Sequence, residues 1–162
     1  MRVSWRLAVV LTLLGVSGSA VAAPTPTPLT RSATVSLSSV RAGARPVALT
    51  LVLSYEMQCG YPGPGPVLIH LPNQERVSGV LTPSHVLVDG HPARTVGISG
   101  HRVSVGLAPL PRIICMVIGM GRLTILFTRA AGLGNPVRAG SYTITATRAS
   151  SEFAARFTIR PA

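Results

Sequence analysis

From Ser32 onward the chain alternates. Ala33, Val35 and Leu37 stand between Ser32, Thr34, Ser36 and Ser38, a period of two that turns one set of side chains to a core and the other to water. Val47, Leu49, Leu51, Leu53 and Tyr55 repeat the pattern and predict a longer second strand. "VLIHL", residues 67–71, reads as a short strand closed by Pro72-Asn73. Between residues 85 and 107 the dipeptides Asp89-Gly90 and Ser99-Gly100 are tight-turn signals separating strand-like runs. In the last of these runs Val103, Val105 and Leu107 alternate with Arg102, Ser104 and Gly106. "GRLTILFT" places Leu123, Ile125 and Phe127 on one side. Tyr142, Ile144 and Ala146 then alternate with Ser141, Thr143, Thr145 and Thr147, and Phe153, Ala155, Phe157 and Ile159 with Glu152, Arg156, Thr158 and Arg160. No amphipathic helix is predicted after the first thirty residues. Seven to ten short strands with turn signals about every ten residues predict an all-β Greek-key sandwich.

One junction sharpens this. "AAGLGNPVRAG", residues 130–140, is loop material, and it passes directly into the strictly alternating "SYTITATRAS". A loop that crosses the end of a sandwich needs glycines for backbone angles closed to other residues, and Tyr142 would then enter the inner face at the start of the next strand.

The first thirty residues depart from this pattern. Arg2 and Arg6 precede an apolar run from Leu7 to Val16, and Gly18-Ser19-Ala20-Val21-Ala22-Ala23 offers an A-x-A cleavage site. This predicts a signal peptide over 1–22, since the run is shorter than the roughly 20 residues of a membrane span. "PTPTPLT" makes 23–31 a stiff Pro/Thr linker, and 32–162 remains as the domain. The expected mature protein is secreted, without a transmembrane segment, and large enough for its own core.

All fifteen basic residues are arginine; thirteen follow residue 22 against four carboxylates, a formal +9 with histidine neutral. Such a charge suits anionic envelope polymer or another surface protein. The arginines form no basic run and few aromatics interleave them, so nucleic acid is not the expected partner. Arg102, Arg156 and Arg160 face away from apolar neighbours in their strands and are the candidate contacts for anionic polymer.

The order of motifs carries a resemblance. "ATVSLSSVRAGARPVALTLVLS", "VLIHLP", "SHVLVDGHPARTVGISGHRVSV" and "RLTILFTRAAGLGNPVRAGSYTITATRAS" together resemble an immunoglobulin-like repeat of bacterial cell-surface and S-layer-associated proteins. In that repeat an A-G-A turn follows the first strand, a V-x-V-N-G turn precedes a G-x-x-V-x-V hairpin, and G-I-x-N-P leads to G-T-Y-T. Here Asp89-Gly90 stands for N-G, Gly132-Leu133-Gly134-Asn135-Pro136 for the second block, and Gly140-Ser141-Tyr142-Thr143 for the third. The likeness runs from about Ser32 to Ser150. It implies an immunoglobulin-like sandwich in an extracellular setting, with structural or adhesive work and no catalytic residue. The chain departs from the repeat in its single copy, its cysteines, and the long segment "APLPRIICMVIGMG".

Catalytic chemistry has little to stand on. Glu56, Glu75, Asp89 and Glu152 are the only acids, Asp89 is explained by its turn, and neither a G-x-S-x-G elbow nor a Ser-Lys pair exists. An envelope hydrolase is therefore the weakest reading, and no cofactor is expected. Cys59 and Cys115 are an even pair in a chain bound for an oxidising compartment, which favours a disulfide. The alternative is an extracytoplasmic copper-handling protein, in which Met57, Cys59, Cys115, Met116 and Met120 supply soft sulfur ligands. His70, His85, His91 and His101 show no metal-ligand spacing.

Overall fold

The computed structural model describes residues 31–57, 65–72, 76–77, 80–107, 119–149 and 151–162. Along the chain run β1 (Arg31–Leu37), β2 (Leu49–Met57), β3 (Val67–His70), β4 (Arg76–Val77), β5 (Val86–Val88) and β6 (His91–Pro92). They are followed by β7 (Thr95–Ser99), β8 (Arg102–Gly106), β9 (Gly119–Phe127), β10 (Leu133–Gly134), β11 (Gly140–Arg148) and β12 (Ser151–Ile159). Of these twelve among the described residues, β4, β6 and β10 have only two residues, which leaves nine longer strands. Helix among the described residues is confined to single 3-10 turns at Pro83–His85 and Arg129–Ala131.

Two five-stranded antiparallel sheets make the sandwich, ordered β1-β2-β9-β5-β6 and β12-β11-β3-β8-β7, with β10 and β4 paired apart from them. The chain leaves β2 for β3 in the other sheet, and after β9 it crosses again to reach β11. Taking β1, β2, β9 and β5 as A, B, E and D, and β12, β11 and β3 as G, F and C, this is the order of an immunoglobulin-like Greek key. The β7–β8 hairpin widens the second sheet beyond it.

The alternation seen in sequence sets which face each residue takes. Leu49, Leu51, Leu53, Leu123, Ile125 and Phe127 from the first sheet meet Val67, Ile69, Val103, Val105, Ile144, Phe153 and Ile159 from the second, all buried. Each such side chain contributes about 1.5–3 kcal/mol when fully removed from water, and together they form one core. Ala33, Val35 and Leu37 are only partly buried because β1 is an edge, and β1 packs against β12 across that edge.

Turn chemistry follows the same logic. Asp89 and Gly90 both have positive φ, 48° and 84°, as a type I′ hairpin demands. The Asp89 carboxylate accepts the Thr124 amide at 2.8 Å, and the Asp89 amide donates to the Thr124 carbonyl at 2.9 Å. One expectation shifts. Val47 is buried but precedes β2, because its amide donates to the Leu133 carbonyl at 2.8 Å and it bridges that residue instead of β1.

Candidate functional site

The loops 38–48 and 128–140 and the 3-10 turn at Pro83–His85 collect at one end of the sandwich, here called the crossover end. Asn135 organises it. Its Nδ2 donates to the carbonyls of Ser39 and Arg41, both at 2.9 Å, and its backbone amide donates to the Ala44 carbonyl at 3.0 Å. The side chain is 1 % exposed, and its Oδ1 is buried with no hydrogen-bond partner. Gly43 adds a bond to the Pro136 carbonyl at 2.9 Å. The end of β12 is drawn in as well: the Ala42 amide donates to the Arg160 carbonyl, the Arg160 amide donates to the Val40 carbonyl, and Arg41 bridges Arg160 in parallel.

This lattice brings together arginines far apart in sequence. Arg41 and Arg45 come from the first loop, Arg138 from the crossover loop and Arg160 from the end of β12; all are exposed. The Arg45 side chain lies over Gly134, where a Cβ would stand only 2.7 Å from its Cγ. Arg129, in the 3-10 turn before the crossover, is exposed at the same end, while Arg102, at the β7–β8 turn, is exposed level with Thr145 of β11. Among the described residues no side-chain carboxylate joins them. Asp89 is bonded midway along β9, Glu152 pairs with Thr147 toward the far end of β11, and Glu56 pairs with Met120 at the far end of β9. Glu75 lies outside the described residues.

The three arginines singled out by strand facing are all exposed on the outer side of the second sheet. Arg160 sits at the crossover end, whereas Arg102, in register through His70 and Thr145 with Ala154, is three strands across and six residues along, on the order of 25 Å away. Arg156 stands opposite Thr143, lower on β12. Strand parity therefore finds exposed guanidinium groups, while the closer group of Arg41, Arg45, Arg138 and Arg160 depends on loops meeting in space. Arg148 takes the opposite environment: it shares the inward side of β11 with Ile144 and Ala146 and is 5 % exposed.

Cys59, Cys115 and Met116 lie outside the described residues. The backbones of Met57 and Met120 are strand residues, and the β2–β9 ladder pairs Glu56 with Met120 and Met57 with Gly119. Of the histidines, His91 and His101 are exposed beside turns, and His70 and His85 are partly buried. No group of three or more His, Cys, Asp or Glu is placed to hold a metal among the described residues. A cleft of about 390 Å³ opens between Gly65, Arg94, Thr95, Ser104 and Leu107. Its charged lining is Arg94, with hydroxyls from Thr95 and Ser104, and no acid or imidazole among the described residues lines it. No helix among the described residues is long and apolar enough to cross a membrane.

The strand order and loop arrangement define an all-β, immunoglobulin-like sandwich. No family model matches the chain, and no curated protein matches it in sequence. Among solved structures it is similar to that of BslA, described as a bacterial hydrophobin, with a TM-score of 0.49 and 18% identity. That superposition covers 82% of this chain and 100% of the other.

Proposed function

We propose that this chain is an extracytoplasmic, non-catalytic sandwich module that serves as a structural or binding component of the bacterial cell surface. The observation that carries this reading is the group of exposed arginines at the crossover end, set on a hydrogen-bonded loop frame with no described side-chain carboxylate among them. Guanidinium groups present paired donors to phosphate and carboxylate oxygens, so the end suits an anionic surface. The features of a secretion signal in 1–22 and the motif order shared with a surface-protein repeat support the setting.

Retention of the mature protein on isolated cell envelope tests it. Binding should fall steeply between low and high salt, because the screening length shrinks to about 3 Å at 1 M. Replacing Arg41, Arg138 and Arg160 together with Gln should weaken retention far more than replacing Arg156 alone. Absence of retention at any salt, or turnover of envelope material by the purified protein, would overturn the reading.

A further inference from the structure

The crossover end exposes apolar side chains as well as charge. The large hydrophobic residues that are exposed among the described residues are Val40, Val80, Ile98 and Val137. Val40 and Val137 belong to the loops that Asn135 joins and Val80 to the segment between β4 and the 3-10 turn at Pro83–His85, whereas Ile98 lies away from them, in register through Val103 and Ile69 with Ala146 of β11. Single exposed apolar residues are ordinary on protein surfaces. The informative feature is that Val40 and Val137 stand on the same hydrogen-bonded loop frame as Arg41, Arg45 and Arg138.

Val137 shows how the exposure is imposed. Asn135 and Pro136 are buried, yet Val137 is 71% exposed one residue later. The loop cannot fold the valine inward, because it is fixed on both sides. Asn135 binds two carbonyls and Gly43 binds Pro136 before it, and the Tyr142 hydroxyl holds the Arg138 carbonyl at 2.8 Å after it. Val40, 39% exposed, sits beside Arg41 on the facing loop. Apolar tips ringed by arginines, whose aliphatic stems lie along apolar surface while the heads stay in water, match a boundary between anionic headgroups and acyl chains.

The geometry points to the crossover end as a docking surface for an anionic lipid bilayer, with Val40 and Val137 entering the headgroup region and Arg41, Arg45, Arg138 and Arg160 meeting lipid phosphates. This rests on the surface-module reading above and narrows its partner. A soluble anionic polymer would draw on the arginines alone, whereas a bilayer also takes up the valines.

The test uses the mature chain and vesicles of phosphatidylglycerol with phosphatidylcholine, against phosphatidylcholine alone. Co-sedimentation should occur with the anionic vesicles only. Each arginine changed to Gln should weaken it roughly fivefold, and Val137→Ser by a similar factor. The sole tryptophan, Trp5, lies in the predicted signal peptide, so Val137→Trp gives the mature chain a single reporter. Its emission should shift to shorter wavelength on adding anionic vesicles and stay unshifted with anionic polymer. Binding of isolated wall polymer without binding of vesicles would overturn the lipid assignment and leave the surface-module reading intact. Vesicle binding that leaves the Val137→Trp emission unchanged would also overturn it, since charge alone would then explain the attachment. Failure to bind vesicles, polymer or envelope would remove both readings.

Discussion

The hydroxyl of Tyr142 donates to the backbone carbonyl of Arg138, four residues earlier, at 2.8 Å. The ring packs on Phe157 of β12 with centroids 5.8 Å apart. This is the tyrosine corner of Greek-key sandwiches, in which a residue at the start of strand F ties down the loop arriving from strand E. It accounts for the abrupt passage from a Gly/Pro loop into a regular strand. Tyr142→Phe keeps the ring contact and removes the bond, so it should cost about 0.5–1.5 kcal/mol. Denaturant unfolding should show a lower midpoint with an unchanged slope.

Asn135 should matter more. It satisfies two carbonyls from a loop more than ninety residues away in sequence, and alanine would strand both acceptors next to a new void. Asn135→Ala is expected to cost about 2–3 kcal/mol. Amide exchange should quicken at Ala42 and Arg160, whose bonds belong to the same lattice, before it quickens in the core strands.

Gly134 and Arg45 should be coupled. Gly134 has an ordinary backbone, so what excludes a side chain there is the Arg45 stem, with Cγ and Cδ only 2.7 and 3.0 Å from the position of a Cβ. Gly134→Ala should therefore destabilise by roughly 1–3 kcal/mol through overpacking. Adding Arg45→Ala should restore a large part of that loss. A double-mutant cycle measures the coupling, and strictly additive costs would count against this account of the glycine.

How much of this could be read from the chain depends on distance along it. The strands were legible because alternation records a local fact, that one face is wet and the other dry. Arg148 has the parity of Ile144 and Ala146, and it is buried beside them. Val47 obeyed the alternation but left the ladder, since its amide is claimed by Leu133, far away in sequence. The crossover end was not legible for the same reason. Its arginines come from three separate segments, and the meeting of these is fixed by Asn135, which in sequence is only one more polar loop residue. The motif "RAGARP" and the block "GNPVRAG" both carry arginine between turn residues, and that repeated placement was the available clue.

The cysteines supply the last prediction. β2 and β9 remain paired to Met57 and Gly119, at the end of the ladder opposite the crossover loops. Cys59 follows two residues after Met57, and Cys115 precedes Gly119 by four. Neighbouring strands are about 4.8 Å apart and a disulfide spans Cα atoms about 5.5–6 Å apart, so the prediction is a bridge between Cys59 and Cys115, which themselves lie outside the described residues. Such a bridge would close a loop of over fifty residues and contribute about 4 kcal/mol in the chain-entropy view. Protein secreted under native conditions should resist alkylation until it is reduced, and replacing both cysteines with Ala should lower its stability by a comparable amount. Two free thiols in the native protein, together with stoichiometric uptake of Cu(I) that is lost when Met57 and Met120 are changed to Leu, would assign these residues to copper handling in place of the bridge.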